Sequence, residues 1–520
     1  MSVQAPDAPD PHRWWALGIV CVATFMLLLD VTIVNVALPD IQQDLGSSFQ
    51  DLQWVVDAYA LTLGAFLLTA GALADRVGRR AVFVAGLAVF TLASLLCGLS
   101  TSPAALNLAR GLQGVGGAAM FATSLALLAA AFTGRERGTA LGVWGATTGA
   151  SVAVGPLVGG ALVEHVSWQS IFFVNLPIGL AAIAVTLRMV RESRAPDPDP
   201  IDWAGLVTFS VALFALVLAL VRGNAEGWGS AQIVGLLVVA VVLLVAFVAV
   251  EARQDRPMLD LALFRKPTFI GVSIVAFALS ASMFAMFLYL TLFLQNLLGY
   301  SPLEAGLRFL PITVVSFFCA ALSGNLTERV PVRFLLSIGL GLVGVGLLLM
   351  SGLDADSEWT ALLPGFLLGG AGVGLTNPAI ASTAVGVVEQ RRAGMASGVN
   401  STFRQVGIAT GIAGLGAIFQ STVTSKILDA ISDSGAQRPP GARLPPAEVL
   451  AQGDPRVLGP LRDQFVTGWT GALNEILIIA GIVALAGAVA ALVLVRSQDF
   501  VAQGVPQGAP RGEPSAARGG

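Results

Sequence analysis

"GALADRVGRRAVF" at residues 71–83 returns in looser form as "GNLTERVPVRFLL" at residues 324–336. Each copy sets a glycine, an acid and arginines in a short polar turn between two apolar runs. A second pair follows in each half, where "GLQGVGGAAM" (111–120) is echoed by "GGAGVGLTNP" (369–378). The chain reads as two related halves.

Composition names the solvent of those halves. Of 520 residues, 55% are hydrophobic and 12% charged, with a mean hydropathy of +0.79; soluble domains carry about 25% charged residues. Runs of about 20 apolar residues, each enough to cross a bilayer core, recur along the chain. They lie near 14–37, 54–74, 81–99, 105–130, 140–163, 170–188, 203–222, 232–250, 268–294, 303–326, 334–352, 361–386, 398–422 and 467–495. An all-α integral membrane protein of fourteen transmembrane helices is expected. Runs 1–6 and 9–14 form two six-helix bundles, with two helices inserted between them. Related halves in a membrane chain are a signature of transporters.

The boundaries follow: an N-terminal bundle over 1–195, a linker with the two extra helices over 196–267, a C-terminal bundle over 268–495 and a tail over 496–520. The first helix lacks a small-residue cleavage site and is expected to remain as an anchor. Charge sets the direction. Short loops on one side collect Arg76, Arg79 and Arg80, then Arg135, Arg137 and Arg188, and finally Arg391 and Arg392, whereas the opposite short loops hold only Arg222. The positive-inside rule therefore puts both termini in the cytoplasm and the long 423–466 segment outside.

Absences exclude whole function classes. The only lysines, Lys266 and Lys426, lie outside any P-loop pattern, so no ATPase domain is expected. With His12 and His165 as the only histidines, a His-based metal site is not expected, and no nucleophile–base pair suggests an enzyme. Cys21, Cys97 and Cys319 all sit in apolar runs, which argues against a disulfide framework. No cofactor and no nucleic-acid partner are expected.

Charges inside apolar runs are the candidate site. Asp30 sits in the middle of "TFMLLLDVTIVNVALP" (24–39), where a carboxylate costs about 2.5–3.5 kcal/mol on insertion scales. Such an acid is paired, faces water, or is built to lose its charge. In span 4, Arg110, Gln113, Gly114 and Gly117 form one helical stripe. Its small residues point that stripe toward protein, so Arg110 is buried and needs a partner. Span 5 carries Gly155, Pro156, Gly159 and Gly160, which remove bulk and one backbone donor. Arg404 shares a stripe with Gly407 and Gly411, and Glu475 follows Gly468 and Gly471 on one face.

The cytoplasmic "GALADRVGRR" and the two-bundle plan resemble the major facilitator superfamily. "LDVTIVNVALP" (29–39), "LARGLQGVGGAAM" (108–120) and "GPLVGG" (155–160) narrow the resemblance to drug:proton antiporters. Fourteen spans with "WQSIFFVNLPIG" (168–179) resemble the EmrB/QacA-type branch of multidrug exporters. The resemblance implies that Asp30 and Asp57 are the acids of spans 1 and 2, and that Arg110 takes part in proton transfer. It implies that Gly71, Asp75, Arg76, Gly78, Arg79 and Arg80 latch the bundles, and that the span 5 motif seals the path against leak. Topology determination and helix packing account for the same residues without transport. The second copy departs from the pattern with Glu328 and Pro331, and Ser151 stands where the family has glycine.

The expected function is export of hydrophobic or amphipathic small molecules across a bacterial cytoplasmic membrane, driven by a proton gradient. Asp30, Asp57, Arg110, Arg404 and Glu475 would line the cavity. A dedicated exporter of one endogenous antibiotic, metabolite or lipid, and a non-transporting sensor on the same fold, are the alternatives.

Overall fold

Hydrocarbon offers no partner to a free N–H or C=O, so each apolar run closes its own backbone hydrogen bonds as a helix. The computed structural model describes residues 11–47, 49–132, 134–194, 202–254, 257–327, 329–389, 392–433 and 462–500. The first six helices are α1 (Arg13–Leu45), α2 (Phe49–Val77), α3 (Arg79–Gly98), α4 (Pro103–Ala131), α5 (Gly134–His165) and α6 (Ser170–Met189). An inserted pair, α7 (Trp203–Glu226) and α8 (Ala231–Glu251), follows. The second set is α9 (Pro267–Leu297), α10 (302–326), α11 (Val332–Met350), α12 (Trp359–Gly386), α13 (Ala393–Asp433) and α14 (Arg462–Leu494). No strand occurs among the described residues.

Twelve of these helices are long and apolar enough to cross a membrane. The others are α5, diluted by glycine, serine and threonine, and α10, whose longer part Leu310–Leu326 is short for a span. Local chemistry moves several expected boundaries. α7 runs on to Glu226, so Arg222 lies buried in a helix, 3.3 Å from Glu226. α9 contains two wide π turns, Ser280–Phe284 and Phe293–Leu297. α10 opens on a capping box in which Ser301 and Glu304 satisfy each other's backbone N–H, so Glu304 is spent on the cap. α13 reaches Asp433, inside the segment expected as a loop from 423. Residues 434–461, Glu328 and the tail beyond 500 lie outside the described residues.

The packing repeats as the sequence does. α4 packs on α2 and α3 as α12 packs on α10 and α11; α1 meets α5 and α6 as α9 meets α13 and α14. Small residues permit this. A Cβ at Gly114 would meet Tyr59 and Thr62 of α2, and one at Gly116 would meet Phe90 of α3; Gly370 and Gly372 stand likewise against Ile312 and Gly339. The bundles join along two equivalent seams, α2 with α13 and α10 with α5. α7 lies on the first seam, whereas α8 touches mainly α7 and leaves Val238, Val241, Val242 and Val245 exposed.

Candidate functional site

Asp30 of α1 and Arg110 of α4 form a fully buried ion pair, Nη1 to Oδ2 at 2.5 Å, at 0% and 1% exposure. The pair is not isolated. Gln113 Nε2 donates to Asp30 Oδ1 at 2.9 Å, and Asn175 Nδ2 of α6 donates to the same oxygen at 3.2 Å. Both amides also reach Ser94 Oγ of α3, at 2.9 and 3.3 Å. Arg110 donates to the Val55 carbonyl (2.9 Å) and to Gln113 Oε1 (2.6 Å). Its guanidinium lies 4.3 Å from the Tyr59 ring centre, and the Tyr59 hydroxyl donates to the Leu27 carbonyl at 3.3 Å.

Five helices thus meet in one network, in which α4 and α6 bond the Asp30 carboxylate directly and α2 and α3 hold their side chains. A buried charge is tolerated when its partners are this complete, and removing one partner leaves the other charge uncompensated. The expected pairing of Arg110 is met by Asp30. Gln113 lay on the stripe read from sequence, but Asn175 and Ser94 were not singled out. Asn175 lies inside the quoted "WQSIFFVNLPIG", and an amide within an apolar run was the available signal.

The other candidates do not join this constellation. Asp57 is half-buried on α2 and feels the charge of Arg222, whose guanidinium stacks 4.7 Å from the Trp54 ring. Arg404 is buried on α13, donates to Asn377 Oδ1 of α12 at 2.7 Å and faces Phe284 of the first π turn at 5.7 Å. It has no carboxylate within ion-pairing distance among the described residues. Glu475 pairs with Lys426 at 3.6 Å, both partly exposed, between α13 and α14.

Gly155 and Gly159 of α5 press on α1 beside the ion pair: a Cβ at either would collide with Thr32 or Ile33. Gly160 faces open space. The Pro156 side chain lies outside the described residues, and α5 is continuous through that position.

The 71–83 motif closes the arginine-rich ends of the bundles. Asp75 Oδ1 accepts from Arg79 (Nη2 at 2.9 Å, Nε at 3.0 Å) and from the Gly394 amide at 3.0 Å; Oδ2 accepts from the Met395 amide at 2.9 Å. A carboxylate of the first bundle therefore caps α13 of the second, where orphan amides and the helix dipole favour negative charge. Gly71 makes room, since a Cβ there would run into the Gly394 carbonyl. The equivalent seam repeats this: Gly138 and Gly324 each stand where a Cβ would strike the other's carbonyl. Gly78 adopts φ +131°, which disfavours any side chain, and the Glu192 carboxylate occupies the adjoining space. Glu192 accepts from the Arg80 and Ala81 amides at 2.9 and 3.1 Å, capping α3. Arg80 also donates to the Val190 carbonyl, while Arg76 is half-buried.

Beside the α2–α13 seam, α7 and α8 border a partly open apolar cavity of about 560 Å³. Leu68, Phe209, Phe247, Phe277 and Phe403 line it, and Thr402 is the one polar side chain. Among the described residues no group of His, Cys, Asp and Glu could hold a metal ion.

The family model described as Major Facilitator Superfamily matches residues 20–412. The multidrug resistance protein Stp of Mycobacterium tuberculosis is 39% identical over 405 residues, covering 78% of this chain and 75% of that protein. The tetracenomycin C resistance and export protein of Streptomyces glaucescens is 34% identical, covering 92% and 91%. The puromycin resistance protein pur8 of Streptomyces alboniger is 37% identical, covering 82% and 85%. Among solved structures, the human organic anion transporter MFSD10 matches with a TM-score of 0.59 at 15% identity, over 91% of this chain and 99% of that one.

Proposed function

The chain belongs to the Major Facilitator Superfamily, and from that premise we propose that it exports hydrophobic or amphipathic drugs by exchange for protons, through alternating access. The relatives named for multidrug resistance, tetracenomycin C export and puromycin resistance support drug efflux. A cavity wall almost without polar atoms favours apolar cargo.

The observation that carries the coupling is the sealed Asp30–Arg110 pair. Ionised Asp30 holds α1, α4 and α6 together through Arg110, Gln113 and Asn175. A proton delivered to Asp30 removes its half of the ion pair and leaves the guanidinium without its counter-charge, so the bundle's packing answers to protonation. Asp57 is the next acid toward the opposite face. With the 71–83 motif on the cytoplasmic side, the Asp75 latch closes the inner end while the outer end exchanges protons and drug. Bacterial inner-membrane location with cytoplasmic termini, a fourteen-span path and the 1–195, 196–267, 268–495 and 496–520 divisions belong to the same reading. No cofactor enters it: one charge crossing 100 mV supplies about 2.3 kcal/mol.

Everted vesicles test the coupling. Drug addition to energised vesicles should release protons, and an uncoupler should abolish drug accumulation whether or not ATP is supplied. Accumulation that follows ATP and ignores the uncoupler refutes it.

A further inference from the structure

At the base of the inserted pair, Asp202 caps the N-terminus of α7 and Glu251 ends α8. Both are buried, at 5% and 2% exposure. Asp202 Oδ1 accepts from the Gly205 amide at 2.8 Å and from Gln254 Nε2 at 2.7 Å; Glu251 Oε2 accepts from the Leu259 amide at 3.0 Å. Their remaining oxygens, Asp202 Oδ2 and Glu251 Oε1, converge over Gly205, where a Cβ would collide with both. Neither of these two atoms has a donor, although both are shut away from water.

Two ionised carboxylates in contact and out of water repel strongly, and two buried acceptors without a donor are costly. One hydrogen removes both penalties. We propose that Asp202 and Glu251 share a single proton, forming a second proton-binding site on the arginine-rich face, separate from Asp30 and Arg110. Glu251 holds the proton and donates it to Asp202. In support, Asp202 is held below the ordinary carboxylate range: burial pushes it up, but the Gly205 amide, Gln254, Glu251 and the nearby Met258 amide outweigh that.

The surroundings leave the pair to itself. From α7, α8 and the segment after α8, each carboxyl faces no titratable group but the other among the described residues. Arg253 is exposed, and Asp260 pairs with Arg392. That ion pair lies two residues before Gly394, where Asp75 caps α13. Lys266 likewise reaches the Val387 carbonyl at the end of α12. The shared proton therefore ties α7 to α8 and, through the Leu259 amide, holds the segment whose Asp260 and Lys266 reach the start of α13 and the end of α12. Asp202's lowered value gives stability that is present above its unfolded value and lost as pH falls through the folded one. Loss of the shared proton at high pH sets two anions against each other. The tie is tightest between these limits.

Infrared titration of the full-length protein in lipid nanodiscs tests this, and the readout does not depend on export. Wild type should show a protonated-carboxyl band at neutral pH that disappears on alkalinisation, with a melting temperature that falls over the same interval. Glu251→Gln, whose amide can donate to Asp202, should lose the band and the alkaline fall in melting. Asp202→Asn should lose them too, because Glu251 then ionises against an amide donor. It decides the matter if Glu251→Gln does not fold. Asp30→Asn should keep both. A wild type without the band, or a band and alkaline melting response unchanged in either folded variant at the pair, overturns the proposal.

Discussion

Replacing Asp30 by Asn removes the proposed proton site and strands Arg110. The guanidinium keeps the Val55 carbonyl, Gln113 and the Tyr59 ring, but its charge has no counter-charge. Breaking one side of a buried pair costs about 3–5 kcal/mol. Asp30→Asn should therefore melt well below wild type in detergent and lose uphill export. Asp30→Asn combined with Arg110→Gln should recover much of the stability and none of the export. Equal melting of wild type and the single variant contradicts the paired geometry. Arg110→Lys should also be impaired, because one ammonium cannot replace a fork that serves Asp30, Val55 and Gln113 together. Asp30 and Arg110 were legible in the sequence because a charge in an apolar run demands an explanation. Ser94 and Asn175 were not, since short neutral polar groups sit in such helices routinely by bonding their own backbone, as Ser94 does to the Phe90 carbonyl. For Glu475, the glycine stripe does mark a close approach, to Ile427 and Lys426, and the acid pairs with that lysine.

Among the helices, the seam between α2 and α13 gives the next prediction. Asp75→Asn keeps one acceptor for the α13 amides but loses the charge that Arg79 and the helix dipole favour. Loss of a cap is worth about 1–2 kcal/mol, which shifts a two-state equilibrium by about 5–30-fold. Spin labels at Val77 and Glu389, both exposed at the arginine-rich end, should move from a short to a longer separation in Asp75→Asn. Gly138→Val should do the same through the other seam, since its side chain enters the space of the Gly324 carbonyl. Unchanged distances in both variants would refute a latch. The repeat of "GALADRVGRR" announced two equivalent turns, and the equivalence of Gly71 with Gly324 follows from it. The partners Gly394 and Gly138 were hidden, because a contact across more than 180 residues leaves no local pattern in either helix.

For the molecule in its membrane, the count and direction of spans were read from hydropathy and arginine placement. Hydropathy weakens at α5, which carries seam contacts on small residues, whereas α10 stays apolar, with Val314, Phe317, Phe318 and Leu322 exposed, and is merely short. Cysteines at Ala225 and Asp356, both exposed, should label from outside intact cells, and one at Arg253, also exposed, should label only after permeabilisation. The reverse pattern would invert the orientation, and labelling at all three would break the fourteen-span path. The inserted pair was legible as two extra runs but its use was not: α7 supplies a wall of the apolar cavity, a role set by tertiary packing alone.

Gly71 and Gly138 close their seams by what they lack. A barrier made of backbone against backbone has no side chain that can recognise cargo, so its tightness is indifferent to what is carried. The apolar cavity is built from other residues, Phe209, Phe247 and Phe403 among them. In the proposed exporter, selection by a new antibiotic would rewrite the range of compounds accepted, one aromatic at a time, while the seam glycines, which have no room for a side chain, keep the barrier. On that reading, breadth and insulation evolve independently.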